Sequence, residues 1–116
     1  MGVPIVLVHG MRVSGSMWRP QVEWLRERGR TVVAPDLPGH GSRRGEVFSL
    51  GAAVDTVLGA IEGVGGRALL AGLSLGGFVS IAAAGAARVG WRVWWRPAVR
   101  PSRRRRWRRC TGFRRC

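Results

Sequence analysis

The chain has 116 residues, which is room for one domain, and its 46% apolar content is enough to build a core. Its formal net charge is +14, and all 20 basic residues are arginine. Up to Ala87 the arginines and acids nearly balance, whereas no acid at all follows Arg88, so the charge belongs to a tail and the first part of the chain is not a polybasic domain.

The N-terminus has no charged segment ahead of its apolar run, so no secretory leader is expected. Val6 stands where a myristoylation signal wants Ser or Thr, and the expected location is cytoplasmic. Pro4-Ile5-Val6-Leu7-Val8 is a short continuous apolar run, suited to a strand buried on both faces. Trp18 to Arg28 has helical spacing, with Trp18, Val22 and Leu25 on one face and Arg19, Glu23 and Arg26 on the other. Gly29 ends it. Thr31-Val32-Val33-Ala34 reads as a second buried strand, followed by a loop from Pro35 to Phe48 rich in Gly, Pro and Arg.

Ser49 is placed to cap a helix that carries Leu50, Val54, Val57, Leu58 and Ile61, and Gly63 to Gly66 breaks it. Arg67 to Leu73 is the third expected strand. Leu75 to Ala87 is the helix after it, with Phe78, Ile81 and Ala82 expected to face inward. Alternation of strand and helix means a parallel sheet with right-handed crossovers. The uncharged stretch from Ala68 to Ala87 is also long enough to span a bilayer, but its glycines and serines weaken a helix there, and no membrane partner is expected.

Between the third strand and its helix lies Gly72-Leu73-Ser74-Leu75-Gly76-Gly77, a G-x-S-x-G pattern. A serine that attacks an acyl carbon must stand on a very tight strand-to-helix turn. The residues two before and two after then come so close that glycine fits best, which is where Gly72 and Gly76 stand. Two further signals precede it. His9-Gly10 ends the first strand and is followed by Trp18; Asp36-Leu37-Pro38-Gly39-His40-Gly41 follows the second.

In this order the three motifs resemble the α/β-hydrolase superfamily, in its branch of small esterases, lactonases and C–C bond hydrolases. The resemblance covers about residues 3 to 87. It implies a strand order of second, first, third, and a ligand crevice where that order reverses. It implies Ser74 as nucleophile, with the backbone N–H groups of Met11 and Leu75 as the oxyanion hole. It makes His9 a structural residue that shapes the oxyanion loop, and Asp36, Gly39, His40 and Gly41 a turn that shapes the pocket rim. The substrate it implies is a small ester or similar carbonyl compound, with no cofactor and no metal.

The family's acid and histidine follow later strands. Here no Asp or Glu follows Glu62 and no His follows His40. The resemblance therefore implies a truncated serine hydrolase, a partial α/β fold of about three parallel strands without its C-terminal half, and inactive as written.

Residues 89–116 show no helical or strand period and are expected to be disordered. Cys110 and Cys116, at C-x5-C spacing without further ligands, read as free thiols. Arg103 to Arg106, Arg108 and Arg109 beside Trp107 offer an alternative function, binding of nucleic acid or an anionic surface. The tail also fits a GC-rich gene read out of frame. Regrouped one base earlier from Gly90, the codons allow Gly-Leu-Ala-Gly-Val-Val-Ala-Ala-Gly, an apolar strand pattern.

Overall fold

The computed structural model describes residues 2–86 and the backbone of 93–95. The expected disorder of the tail, its thiols and its reading frame lie outside these residues, apart from the short segment 93–95.

Four strands form one parallel sheet: β1 (Ile5–Val8), β2 (Val32–Val33), β3 (Leu69–Gly72) and β4 (Val93–Trp95). Their order is β2-β1-β3-β4. β1 pairs with β2 from Ile5 opposite Val32, and with β3 from Ile5 opposite Leu69 to Val8 opposite Gly72. The three expected strands are all present, side by side in the expected order. The fourth corrects the reading of the tail as free of strand. Leu70, Ala71 and Gly72 pair with Val93, Trp94 and Trp95.

Three α-helices connect the strands: α1 (Arg19–Glu27), α2 (Leu50–Gly63) and α3 (Leu75–Ala86). Because successive side chains of a strand point to opposite faces, β1 feeds two cores. Ile5 and Leu7 pack with Val32 under Trp18, Val22 and Leu25 on the α1 side. Val6 and Val8 pack with Leu70 against Ala53, Val57 and Ile61 of α2 and Val79 and Ala83 of α3. Val6, Val8 and Leu70 are wholly buried, each contributing about 1.5–3 kcal/mol of hydrophobic stabilisation. The chain winds one way from β1 to β2 and the other way from β2 to β3. Crossovers of a single hand then put α1 on one face and α2 and α3 on the other.

Local signals set the helix ends. A 3-10 turn at Gly15–Trp18 leads into α1, and a proline in the first turn suits a position whose N–H has no intrahelical partner. Gly29, at φ 75°, closes that helix in the left-handed region. The Ser49 hydroxyl accepts the Ala52 N–H at 3.1 Å, the N-cap its position predicts.

The orientation of α3 departs from expectation. Phe78 is 65% and Ile81 38% exposed, while Gly76, Gly77, Val79, Ser80 and Ala83 are buried. The small residues face the sheet because the helix starts in backbone contact with β1. Leu50, the first apolar residue of α2, is exposed, while Val57 and Ile61 are buried. No described helix is long and apolar enough to cross a membrane, and the stretch considered for that role folds as β3, a turn and α3.

Candidate active site at the carboxyl ends of β1 and β3

The turn from β3 into α3 sets the site. Ser74 has φ 53°, in the left-handed region that costs a non-glycine residue roughly 1–2 kcal/mol. Its neighbours show why the turn is so tight. A Cβ on Gly72 would run into the backbone of Gly76 and Gly77, and one on Gly76 into the carbonyls of Val8 and His9. These are backbone atoms that cannot step aside. The Leu73 N–H donates to the Val8 carbonyl at 3.2 Å, which ties the turn to β1. Ser74 itself is exposed at the head of α3.

The loop after β1 lies directly beside it. A Cβ on Gly10 would stand 3.3 Å from the Leu73 carbonyl oxygen and 4.0 Å from Ser74 Cβ. Glycine thus lets the Gly10–Met11 turn approach the serine. Met11 is 63% exposed, and Arg12 after it has φ 61°. Among the described residues, neither the Met11 N–H nor the Leu75 N–H enters a backbone hydrogen bond. Leu75 opens α3, where N–H groups are left over and the helix dipole favours negative charge.

His9 is wholly buried and fully occupied. Its Nε2 accepts the Leu37 N–H at 2.9 Å, and its Nδ1 donates to the Gly10 carbonyl at 2.7 Å. That tautomer leaves no lone pair for Ser74. His40 is held by the Pro38 carbonyl at 3.0 Å from Nδ1, with its ring 5.1 Å from that of His9. The two histidines brace the ends of β1 and β2, and neither hydrogen-bonds Ser74.

Asp36 clamps two loops together. One oxygen accepts the Gly15 N–H at 2.7 Å; the other accepts the Ser42 N–H at 3.0 Å and the Ser42 hydroxyl at 2.8 Å. Partial burial pushes its carboxyl up. The hydrogen bonds from Gly15 and Ser42, with a smaller effect of His9, outweigh this and hold it below the ordinary aspartate value. Gly41, at φ 55°, and Gly15 have no room for a side chain against this carboxylate and the Ala34 carbonyl. Gly39, at φ 79°, makes the tight turn between them.

Sequence reasoning missed Arg43. It donates to both oxygens of Glu46, at 2.6 and 2.8 Å, and to the Thr56 hydroxyl at 2.6 Å, so it fastens the loop after β2 onto α2. The Arg43-x-x-Glu46 spacing was the available signal, hidden among other loop arginines. Also unforeseen is an open cleft of about 500 Å³ between the loops 12–17 and 39–44, with Arg12, His40 and Arg44 in its wall.

Comparison with known proteins agrees with this geometry. Residues 5–115 match the alpha/beta hydrolase family. A pimeloyl-(acyl-carrier protein) methyl ester esterase of Methylococcus capsulatus is 39% identical over 84 residues, covering 72% of this chain and 32% of the relative. A thermophilic esterase from Thermogutta terrifontis, solved with malate bound, superposes with a TM-score of 0.63 at 35% identity, over 73% of this chain and 32% of that one. An extracellular alpha/beta-hydrolase from a Paenibacillus species superposes with a TM-score of 0.69 at 21% identity, over 83% of this chain and 43% of that one, and speaks for the fold alone. The chain spans about a third of the length of the curated esterases it matches. A tight serine turn after β3, a glycine loop packed beside it after β1, and this match along most of the sequence have one explanation: the chain belongs to the alpha/beta hydrolase family.

Proposed function

We propose that the chain carries the nucleophile and oxyanion half of a serine hydrolase for a small carboxylic ester or related carbonyl substrate. The observation that carries this reading is Ser74, exposed in a left-handed backbone conformation at the head of α3, with Gly10 packed against it. In this reading the Ser74 hydroxyl adds to the acyl carbon, and the carbonyl oxygen becomes an oxyanion between the N–H groups of Met11 and Leu75. Each such donor contributes about 3 kcal/mol to the transition state. The bond to the leaving oxygen then breaks, and that oxygen takes up a proton. The esterase names of the relatives support the substrate class.

The hydroxyl proton must leave in the first step, and a serine without a base is a weak nucleophile near neutral pH. His9 has both ring nitrogens engaged, by Leu37 and Gly10, and His40, which donates from Nδ1 to the Pro38 carbonyl, makes no hydrogen bond to Ser74. The 116 residues by themselves therefore have nucleophile geometry without general-base assistance, and their expected activity is slow acylation rather than turnover. Intact-mass detection of an acyl adduct from 4-nitrophenyl acetate tests the assignment. An adduct is expected on the parent chain and none on Ser74→Ala; equal labelling of both would contradict it.

A further inference from the structure

The cleft of about 500 Å³ beside the elbow has an unusual wall. Arg12, Val13, Ser14 and Met17 stand on one side and His40 and Arg44 on the other. Two of these residues are arginines and none is an acid. Among the described residues the single ion pair is Arg43–Glu46, so Arg12 and Arg44, both exposed and both lining the cleft, have no carboxylate partner. Asp36 lies behind Gly41 of the cleft wall, and its two oxygens are taken by Gly15 and Ser42. It weakens the field of the arginines without closing the cleft.

The position of the cleft relative to the serine is informative. Arg12 follows Met11 directly, on the loop that packs against Ser74 through Gly10. Ser74 is not part of the cleft wall; what links the two is Arg12, which lines the cleft two residues after the glycine packed against the serine turn. Guanidinium groups recognise planar anions through paired N–H donors. We infer that the cleft between Arg12 and Arg44 is a subsite for an anionic group, a carboxylate or phosphate, on the substrate. The inference rests on the hydrolase reading of Ser74 for the word substrate, while the anion site stands on the arginines alone.

Binding of succinate to the intact chain, followed by the ring resonances of His40, tests it. Succinate is expected to shift these resonances saturably and succinamide, its neutral counterpart, to leave them in place. Arg12→Gln with Arg44→Gln should weaken the binding by about tenfold or more, whereas Arg105→Gln with Arg106→Gln in the tail should leave it unchanged. Both cleft side chains are exposed, and retained upfield methyl resonances check that the pair is folded. Inorganic phosphate in competition tells the two anions apart: displacement of succinate at equal concentration favours a phosphate group, and weak displacement a carboxylate. Equal shifts with succinamide, unchanged binding in the cleft variant, or no saturable shift would overturn the inference. A chain that binds succinate but is never acylated at Ser74 keeps the anion site and loses the nucleophile; acylation without arginine-dependent binding does the reverse.

Discussion

The buried ring of His9 accepts the backbone N–H of Leu37 at 2.9 Å and so joins the end of β1 to the loop after β2. Its other nitrogen holds the Gly10 carbonyl, which fixes the turn that presents Met11. Removing the ring would strand a buried N–H and a buried carbonyl and open a cavity. His9→Ala is expected to cost about 2–4 kcal/mol, read as a lower urea midpoint. An unchanged midpoint would show that the loop does not depend on the ring.

The glycines of the chain are not equivalent. Gly76→Ala would drive a Cβ into the carbonyls of Val8 and His9, forcing α3 off β1. A loss of about 3 kcal/mol or more is expected, enough to unfold a small domain. Gly59, on the exposed side of α2, meets nothing within 4 Å. Gly59→Ala should therefore stabilise by about 0.5–1 kcal/mol through helix propensity. Thermal melts of the two variants compare them directly.

Acid should loosen the pocket rim. The Asp36 carboxyl is held below its ordinary value by Gly15 and Ser42 against the opposing pull of burial, and Glu46 is held low by its hydrogen bonds from Arg43. A group depressed in the folded state stabilises above its unfolded value, about 3.9 for aspartate and 4.3 for glutamate, and that contribution is lost as pH falls through the folded value. Stability should thus fall below about pH 4, and Asp36→Asn should flatten that fall. Equal acid sensitivity of parent and variant would contradict the assignment.

Phe78 and Ile81 stand one turn apart on the exposed side of α3. An apolar stripe beside a short sheet is a template for self-association. Phe78→Glu with Ile81→Gln is expected to reduce the aggregated fraction in light scattering without changing the circular dichroism. Unchanged aggregation would place the sticky surface elsewhere.

The contrast between β1 and α3 shows what the sequence makes legible. Ile5 to Val8 is apolar without interruption because both faces of that strand are covered, so its place could be read directly. Gly72 and Gly76 were legible for a similar reason, since only a backbone-to-backbone approach demands glycine at that spacing. The direction of α3 was not, because Leu75–Ala86 is apolar or small on every side and its period carries no vector. What orients it is the contact of Gly76 with β1, a long-range fact. β4 escaped for another reason: three residues among arginines have no period, and their strand exists only by pairing with β3. The arginine cleft likewise depends on Asp36 drawing two distant loops together.

The central proposal is that Ser74 is a positioned nucleophile that no base within these 116 residues assists. The pH dependence of Ser74 acylation by 4-nitrophenyl acetate, followed by intact mass, tests it most directly. The account predicts an adduct that is absent in Ser74→Ala and whose rate climbs steadily from about pH 6 to about pH 9 without a plateau. A rate that levels off above an inflection near pH 7 would reveal a histidine acting as base, and would contradict the account.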